Sequence, residues 1–140
     1  MILPYARRVL PWLVNVHLKD YTVHGVEDGY VLARCALGDG VVPFPELLEL
    51  FSEHNLTLQL ELAALDGRRI SMMSPDFWRN LGKDEMPNVD HPIMQMRKSG
   101  ETTGDYRTPW ERVADTELVD YEMMQVKRST AYLAGLFKGK

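Results

Sequence analysis

The sequence predicts an α/β fold built around a strand–helix–strand unit, and three patterns predict it. A short, valine-rich apolar run over residues 13–18 indicates a first buried strand. An apolar spacing of i, i+3, i+4, i+7 after Pro43 indicates an amphipathic helix. Strict alternation of leucine with polar residues over 56–63 indicates a second strand. Because strand, helix and strand follow one another, we expect parallel strands joined by a right-handed crossover.

The first strand lies between Pro11 and the charged pair Lys19-Asp20. Its side chains alternate, so Leu13, Asn15 and His17 share one face while Val14, Val16 and Leu18 share the other. The strand is therefore expected to end with the His17 ring on its more polar face.

Residues 21–40 combine glycines with mixed polarity, which predicts a long loop. Within it we expect a hairpin around residues 27–30 and a closing turn at residues 37–40. The following helix has an apolar stripe and ends near Asn55; the stripe is Phe44, Leu47, Leu48 and Phe51.

The second strand sets Leu58, Leu60 and Leu62 on one face and Thr57, Gln59 and Glu61 on the other. Parallel strands meet with their carboxyl ends at one edge of a sheet. We therefore expect His17 and Glu61 to lie at the same edge, and the βαβ unit to span residues 10–63.

The remainder of the chain divides into an irregular segment and a helix. Residues 64–107 contain prolines, glycines and polar clusters, and predict loops with one short helix near residues 76–81. Thr108, Pro109 and Glu111 have the spacing of a helix start, so residues 108–138 are predicted as the C-terminal helix. Its apolar face is predicted as Val119, Met123, Val126, Thr130, Leu133 and Phe137.

Composition excludes several classes of function. The 140 residues carry 16 Lys+Arg, scattered along the chain, against 20 Asp+Glu, which argues against a nucleic-acid partner. Cys35 is the single cysteine, which rules out an internal disulfide and a multi-thiolate zinc site, and suggests a cytoplasmic location. Pro4, Pro11 and His17 interrupt the apolar opening segment, so neither a signal peptide nor a membrane anchor is expected.

His17 and Glu61 are the residues for which we predict chemistry. Neighbouring strands lie about 4.8 Å apart, so an imidazole and a carboxylate from their ends can share one divalent ion. A structural, hydrogen-bonded histidine is the alternative interpretation of His17. Glu61 is flanked by leucines in a buried strand and needs a polar partner.

A known family shares this arrangement of residues. The sequence carries, in order, Val16-His17-Leu18-Lys19-Asp20, Leu37-Gly38-Asp39-Gly40, the helix positions Phe44, Leu47 and Leu48, and Leu60-Glu61. Over about residues 10–65 this resembles the seventh strand, seventh helix and eighth strand of sugar phosphate isomerases/epimerases of the xylose-isomerase-like TIM-barrel type. The segment from Tyr121 to Leu133 is similar to the last helix of that family.

The resemblance implies a metal-dependent isomerase or epimerase that acts on a sugar or sugar phosphate through an enediolate. His17 and Glu61 would be metal ligands for Mn²⁺, Mg²⁺, Co²⁺ or Zn²⁺, and Glu61 would also transfer the proton. Lys19 is predicted to bind substrate, with a solvated loop start as its alternative. Asp20 is predicted to orient His17 from outside the metal site. Arg34 is a candidate for gripping a substrate phosphate or carboxylate, with a solvated arginine as its alternative.

Two further expectations concern what is missing. The related endonuclease IV branch places an Asp-x-His metal pair where this chain has Leu32 and Arg34, and His24 lies in the wrong place to replace it, which argues against a nuclease. A TIM barrel needs eight strands and about 250 residues, so we expect an incomplete barrel that lacks its N-terminal portion or is completed by a homo-oligomer. A non-enzymatic docking or oligomerisation module derived from the barrel is the alternative.

Overall fold

The computed structural model describes residues 2–62, 67–82, 111 and 115–138, which form a mixed α/β structure. In chain order the elements are α1 (Ile2–Val9), a 3₁₀ turn (Leu10–Trp12), β1 (Asn15–Leu18), β2 (Asp20–Val26), β3 (Gly29–Cys35), α2 (Phe44–Phe51), β4 (Thr57–Leu60), β5 (Arg68–Ile70), α3 (Pro75–Asn80), a second 3₁₀ turn (Asp115–Glu117) and α4 (Leu118–Lys138). They belong to two compact units: residues 1–21, 35–63 and 114–140, and residues 22–34 and 64–113.

The first unit is built on the parallel pair β1–β4. Asn15 lies opposite Thr57 and Leu18 lies opposite Leu60, so the predicted strands and their parallel pairing are confirmed. Helix α2 lies between them in the chain, as the βαβ pattern indicated. The strands are shorter than expected, at four residues each, although the flanking residues Val14 and Glu61 still form backbone hydrogen bonds across the pair.

Helix α2 covers the apolar side of this sheet. The four stripe residues predicted from the sequence, Phe44, Leu47, Leu48 and Phe51, are all buried. The helix ends at Phe51 rather than near Asn55, because Ser52 already donates its backbone N–H to Glu49 O in a turn. Helix α1 adds Ala6 to the core formed by Leu47 and Phe51.

Residues 20–35 form two strands, so the predicted long loop is wrong over most of its length. β2 and β3 are neighbours in a sheet and are joined by Glu27 and Asp28, which confirms the position of the hairpin turn. Their valines and tyrosines favour a pleated conformation once one face is buried. Val23 and Tyr30 are buried with Met72 and Trp78 in the core of the second unit.

The described part of residues 64–107 contains two elements of the second unit. The predicted short helix is confirmed as α3, which begins with Pro75 and ends at Asn80. Strand β5 was not predicted, because three residues are too few for a periodic pattern. β5 pairs antiparallel with β3, with Tyr30 opposite Ile70.

The C-terminal helix is confirmed over residues 118–138, while its predicted start at residues 108–110 lies outside the described residues. Of its predicted apolar face, Leu133 packs against the core, while the prediction is wrong for Val119, Met123, Val126 and Phe137, which are exposed. The helix buries Gln125 and Ser129 instead, and packs Tyr132, Leu133 and Leu136 against the core. Ser129 is buried because its Oγ accepts a hydrogen bond from the backbone N–H of Leu37 at 3.0 Å.

The described strands form one two-stranded and one three-stranded sheet, and no closed barrel exists among them. Of the helices that the structure describes, none combines the length and apolarity needed to cross a bilayer.

Asp28 and Arg69 give the second unit a pH-dependent contact. The Arg69 guanidinium, bonded to the Asp28 carboxylate at 2.6 Å, lowers the pKa of that carboxyl below its ordinary 3.8. A carboxyl whose pKa is depressed by folding stabilises the fold fully above its ordinary pKa, and this contribution is lost as the pH falls through the depressed value.

We therefore expect Arg69→Gln to be less stable than the parent at pH 7, with the difference shrinking as the pH falls below 3.8. Urea unfolding at a series of pH values measures this. Arg8→Gln, at an exposed position of α1, serves as the control. A stability difference that does not change with pH would contradict the prediction.

Candidate functional site

The predicted pair His17 and Glu61 meets at the carboxyl ends of β1 and β4. His17 is the third residue of β1, and Glu61 directly follows β4. His17 Nδ1 donates a hydrogen bond to Glu61 Oε2 at 2.6 Å. The expectation that parallel pairing brings these two side chains to one edge is therefore confirmed.

Lys19 completes the contact on the same face of the sheet. The register that pairs Leu18 with Leu60 places Lys19 opposite Glu61, and the Lys19 ammonium forms an ion pair with Glu61 Oε1. On the other side of the imidazole, Asn15 Nδ2 donates to His17 Nε2 at 3.4 Å. Asn15, His17 and Lys19 alternate along one face, as a period of two requires.

The electrostatics of the site keep Glu61 ionised. The hydrogen bonds from Lys19, first, and from His17 lower the pKa of the Glu61 carboxyl below its ordinary 4.5. Glu61 is therefore a carboxylate at neutral pH, which a metal ligand or proton acceptor must be. The same two donors make it a weaker base than a free glutamate.

The donor types present suit a divalent cation, but they are few. With hydrogen on His17 Nδ1, the lone pair of Nε2 is the nitrogen donor that a metal could use, but only in place of the hydrogen bond that Asn15 Nδ2 donates to it. A carboxylate that receives the Nδ1–H is the usual orienting partner of a metal-bound histidine. Within the described ranges, no group of three or more His, Cys, Asp or Glu side chains is arranged around a common point.

Asp20 has a different role from the predicted one of orienting His17. Its buried carboxylate accepts hydrogen bonds from the backbone N–H groups of Tyr21, Gly38, Gly40 and Val42, at 2.9–3.1 Å. A Cβ at Gly40 would collide with this carboxylate, which is why the turn requires glycine there. Asp20 therefore holds the residue 38–42 loop to the end of β1.

Helix α4 holds the same loop from its other side. Arg128 pairs with Asp39 at 2.7 Å. A Cβ at Gly38 would lie only 2.6 Å from the Tyr132 ring, too close for a side chain larger than that of glycine. Gly38 has φ +89°, a conformation that favours glycine. The Leu37-Gly38-Asp39-Gly40 motif thus has a structural role, because Asp20 binds it on one side and α4 on the other.

The remaining predicted residue, Arg34, lies on β3, half-buried, in the second unit. His17, Lys19 and Glu61 belong to the first unit. The substrate-binding role of Arg34 stays a prediction. His24 lies on β2, where its Nε2 is 2.9 Å from Thr22 Oγ1.

An apolar cleft of about 270 Å³ lies elsewhere in the first unit, beside α2 and β4. Its walls are Leu48, Phe51, Ser52, His54, Leu56, Leu58 and Phe137. None of the predicted site residues lines it, and we base no function on it.

Sequence reasoning missed the Lys19–Glu61 ion pair and the position of Asn15 beside His17. The sequence pattern that predicts both was present, since Asn15, His17 and Lys19 are spaced two residues apart. Extending the alternation of β1 by one residue would have placed all three on one face.

Comparisons with family models, curated proteins and solved structures found no match.

We expect Lys19→Met to raise the pKa of the Glu61 carboxyl, because it removes the largest cause of its depression. Carbon-detected NMR titration of the Glu61 carboxyl measures this. Lys127→Met, at an exposed position of α4, should leave that pKa unchanged. A Glu61 titration that is the same in parent and Lys19→Met would refute the ion pair.

We expect Asp20→Asn to lower the free energy of unfolding by about 3 kcal/mol, because the amide cannot accept all four backbone hydrogen bonds. Chemical denaturation measures this. Asp120→Asn changes an exposed carboxylate in α4 and should cost less than about 0.5 kcal/mol. Equal effects in the two variants would show that Asp20 does not hold the loop.

Proposed function

We propose that this chain is the C-terminal part of a metal-dependent sugar or sugar phosphate isomerase/epimerase of the xylose-isomerase-like TIM-barrel type. The observation that carries the proposal is the contact between His17 and Glu61 at the ends of two parallel, adjacent strands. In open and closed α/β sheets, side chains at the carboxyl ends of parallel strands are where active sites are built. The sequence resemblance supplies the class of reaction.

The open edges of the β1–β4 pair support an incomplete barrel. Among the described strands, β1 and β4 each have one neighbour only. An isolated two-stranded sheet is marginal in water, and a barrel closes both edges. In the proposed arrangement, further strands pair with these two edges and bring further ligands to the same end.

The metal site is proposed from donor chemistry. His17 Nε2, in place of its hydrogen bond from Asn15, and the Glu61 carboxylate would hold the ion, and the remaining ligands would come from outside the described residues. A bound divalent ion would polarise the substrate carbonyl and stabilise negative charge on its oxygen. Glu61, ionised at neutral pH, would accept the proton from the carbon beside that carbonyl.

Lys19 has a natural place in such a site. Its ammonium lies against the carboxylate that would take up the proton. A cation there can hold a substrate phosphate or hydroxyl and orient the carbon that loses its proton.

The second candidate is a non-enzymatic docking or oligomerisation module. The exposed apolar residues Trp12 and Val14, beside the open edge of β1, favour it. Apolar groups of this kind mark surfaces that bind another protein. Such a module needs no metal.

Metal binding separates the two candidates. We expect isothermal titration calorimetry to detect binding of Mn²⁺ or Zn²⁺ by the parent chain, and its loss in both His17→Ala and Glu61→Ala. His54→Ala and Glu53→Ala remove the same side-chain types from exposed positions and should bind like the parent.

The outcomes are distinct. Binding that disappears in both site variants and survives in both controls supports the enzyme, and isomerase assays on sugars and sugar phosphates follow. Equal loss in site and control variants favours the docking module. Absence of binding by the parent means that this chain is a fragment without a working metal site or a docking module, and any catalytic claim then moves to a longer chain.

A further inference from the structure

We propose that α4 pairs antiparallel with α4 of a second copy of this chain. The contact surface, called the α4 seam below, consists of Val119, Met123, Val126 and Thr130. The proposal does not use the metal site, so it stands or fails independently of the isomerase proposal.

The spacing of the α4 seam specifies a helical partner. The four residues are separated by four, three and four positions, which is the 3.5-residue period of helices that pack side by side. Helix α4 does not use these four residues for its own core, which it contacts through Ser129, Tyr132, Leu133 and Leu136. The sequence therefore carries an interhelical pattern that the described packing of the first unit does not use.

The α4 seam is exposed and suited to burial. Val119 is 70% exposed, Met123 50% and Val126 37%. Thr130 is the polar member, but its Oγ1 already donates within the helix, to Val126 O at 2.9 Å. Its hydroxyl therefore needs no partner across an interface.

Charge selects a second copy of this helix, in antiparallel orientation. The first part of the helical segment is acidic, with Glu117, Asp120 and Glu122 exposed, and the part that follows is basic, with Lys127 and Arg128 exposed. Antiparallel pairing places the acidic part of one copy along the basic part of the other. Parallel pairing would bring the acidic residues of both copies together, and would align the two helix dipoles.

Charge complementarity also fixes the register of the two helices. When Met123 packs beside Val126 of the second copy, Val119 packs beside its Thr130 and the layers repeat by two-fold symmetry. Asp120 then lies along Lys127 of the other copy, and each pair occurs twice. Complementary charges beside an apolar seam are what set partner and orientation in paired helices.

Sedimentation equilibrium of the full chain tests the pairing. We expect a reversible dimer, and we expect Val126→Glu, which places a charge in the centre of the α4 seam, to weaken self-association about tenfold or more. Ala131→Glu adds the same charge at an exposed position on another face of α4 and should leave the dimer intact. Circular dichroism of both variants checks that α4 remains folded.

A charge exchange tests the orientation. Lys127→Asp should weaken the dimer, and Asp120→Lys in the same chain should restore it, because the antiparallel register brings these positions together. In a parallel pair, Lys127 would lie beside Glu122 instead, and the exchange would not restore association.

Three results would overturn the proposal. A parent chain that stays monomeric into the high micromolar range would show that the α4 seam does not bind a second copy. Self-association that is unaffected by Val126→Glu would place the interface elsewhere. Failure of the charge exchange to restore the dimer would exclude the antiparallel register.

Discussion

The buried carboxylate of Asp20 is the interaction on which the first unit depends. A carboxylate without water is costly unless its oxygens are satisfied, and four backbone N–H groups satisfy this one. Three of those groups belong to the loop that leads into α2, and α4 binds the same loop through Ser129 and Arg128. One side chain at the junction of β1 and β2 thus fixes the loop against which both helices pack.

The β1–β4 pair has one apolar face that packs against the helices and one polar face that does not. Val16, Leu18, Leu58 and Leu60 pack against the helices. Because side chains alternate along a strand, Asn15, His17 and Lys19 must then point away from the helices, where they meet Glu61. Asp20 therefore influences the candidate site indirectly, by fixing the strand that carries Asn15 and His17. The hydrogen bonds described for the His17 ring are with Asn15 and Glu61.

The contacts of Glu61 set what the site can do chemically. Lys19 and His17 each hold one of its oxygens, so the carboxylate is ionised and oriented but weakly basic. A proton acceptor of this strength needs the substrate to be acidified by a neighbouring positive charge, which is the chemistry that a metal-dependent isomerase provides.

The sequence by itself determined the elements whose periodicity extends over enough residues: the two parallel strands, helix α2 with its four buried residues, and the meeting of His17 with Glu61. These follow from local alternation and from the geometry of parallel pairing, which need no knowledge of the rest of the chain. Only the tertiary structure decided which face of α4 is buried: Tyr132, Leu133 and Leu136 pack against the core and Ser129 accepts the backbone N–H of Leu37, while Val119 and Met123 stay exposed. It also decided the role of Asp20, since the four amides that bind its carboxylate come from residues up to 22 positions away in the chain.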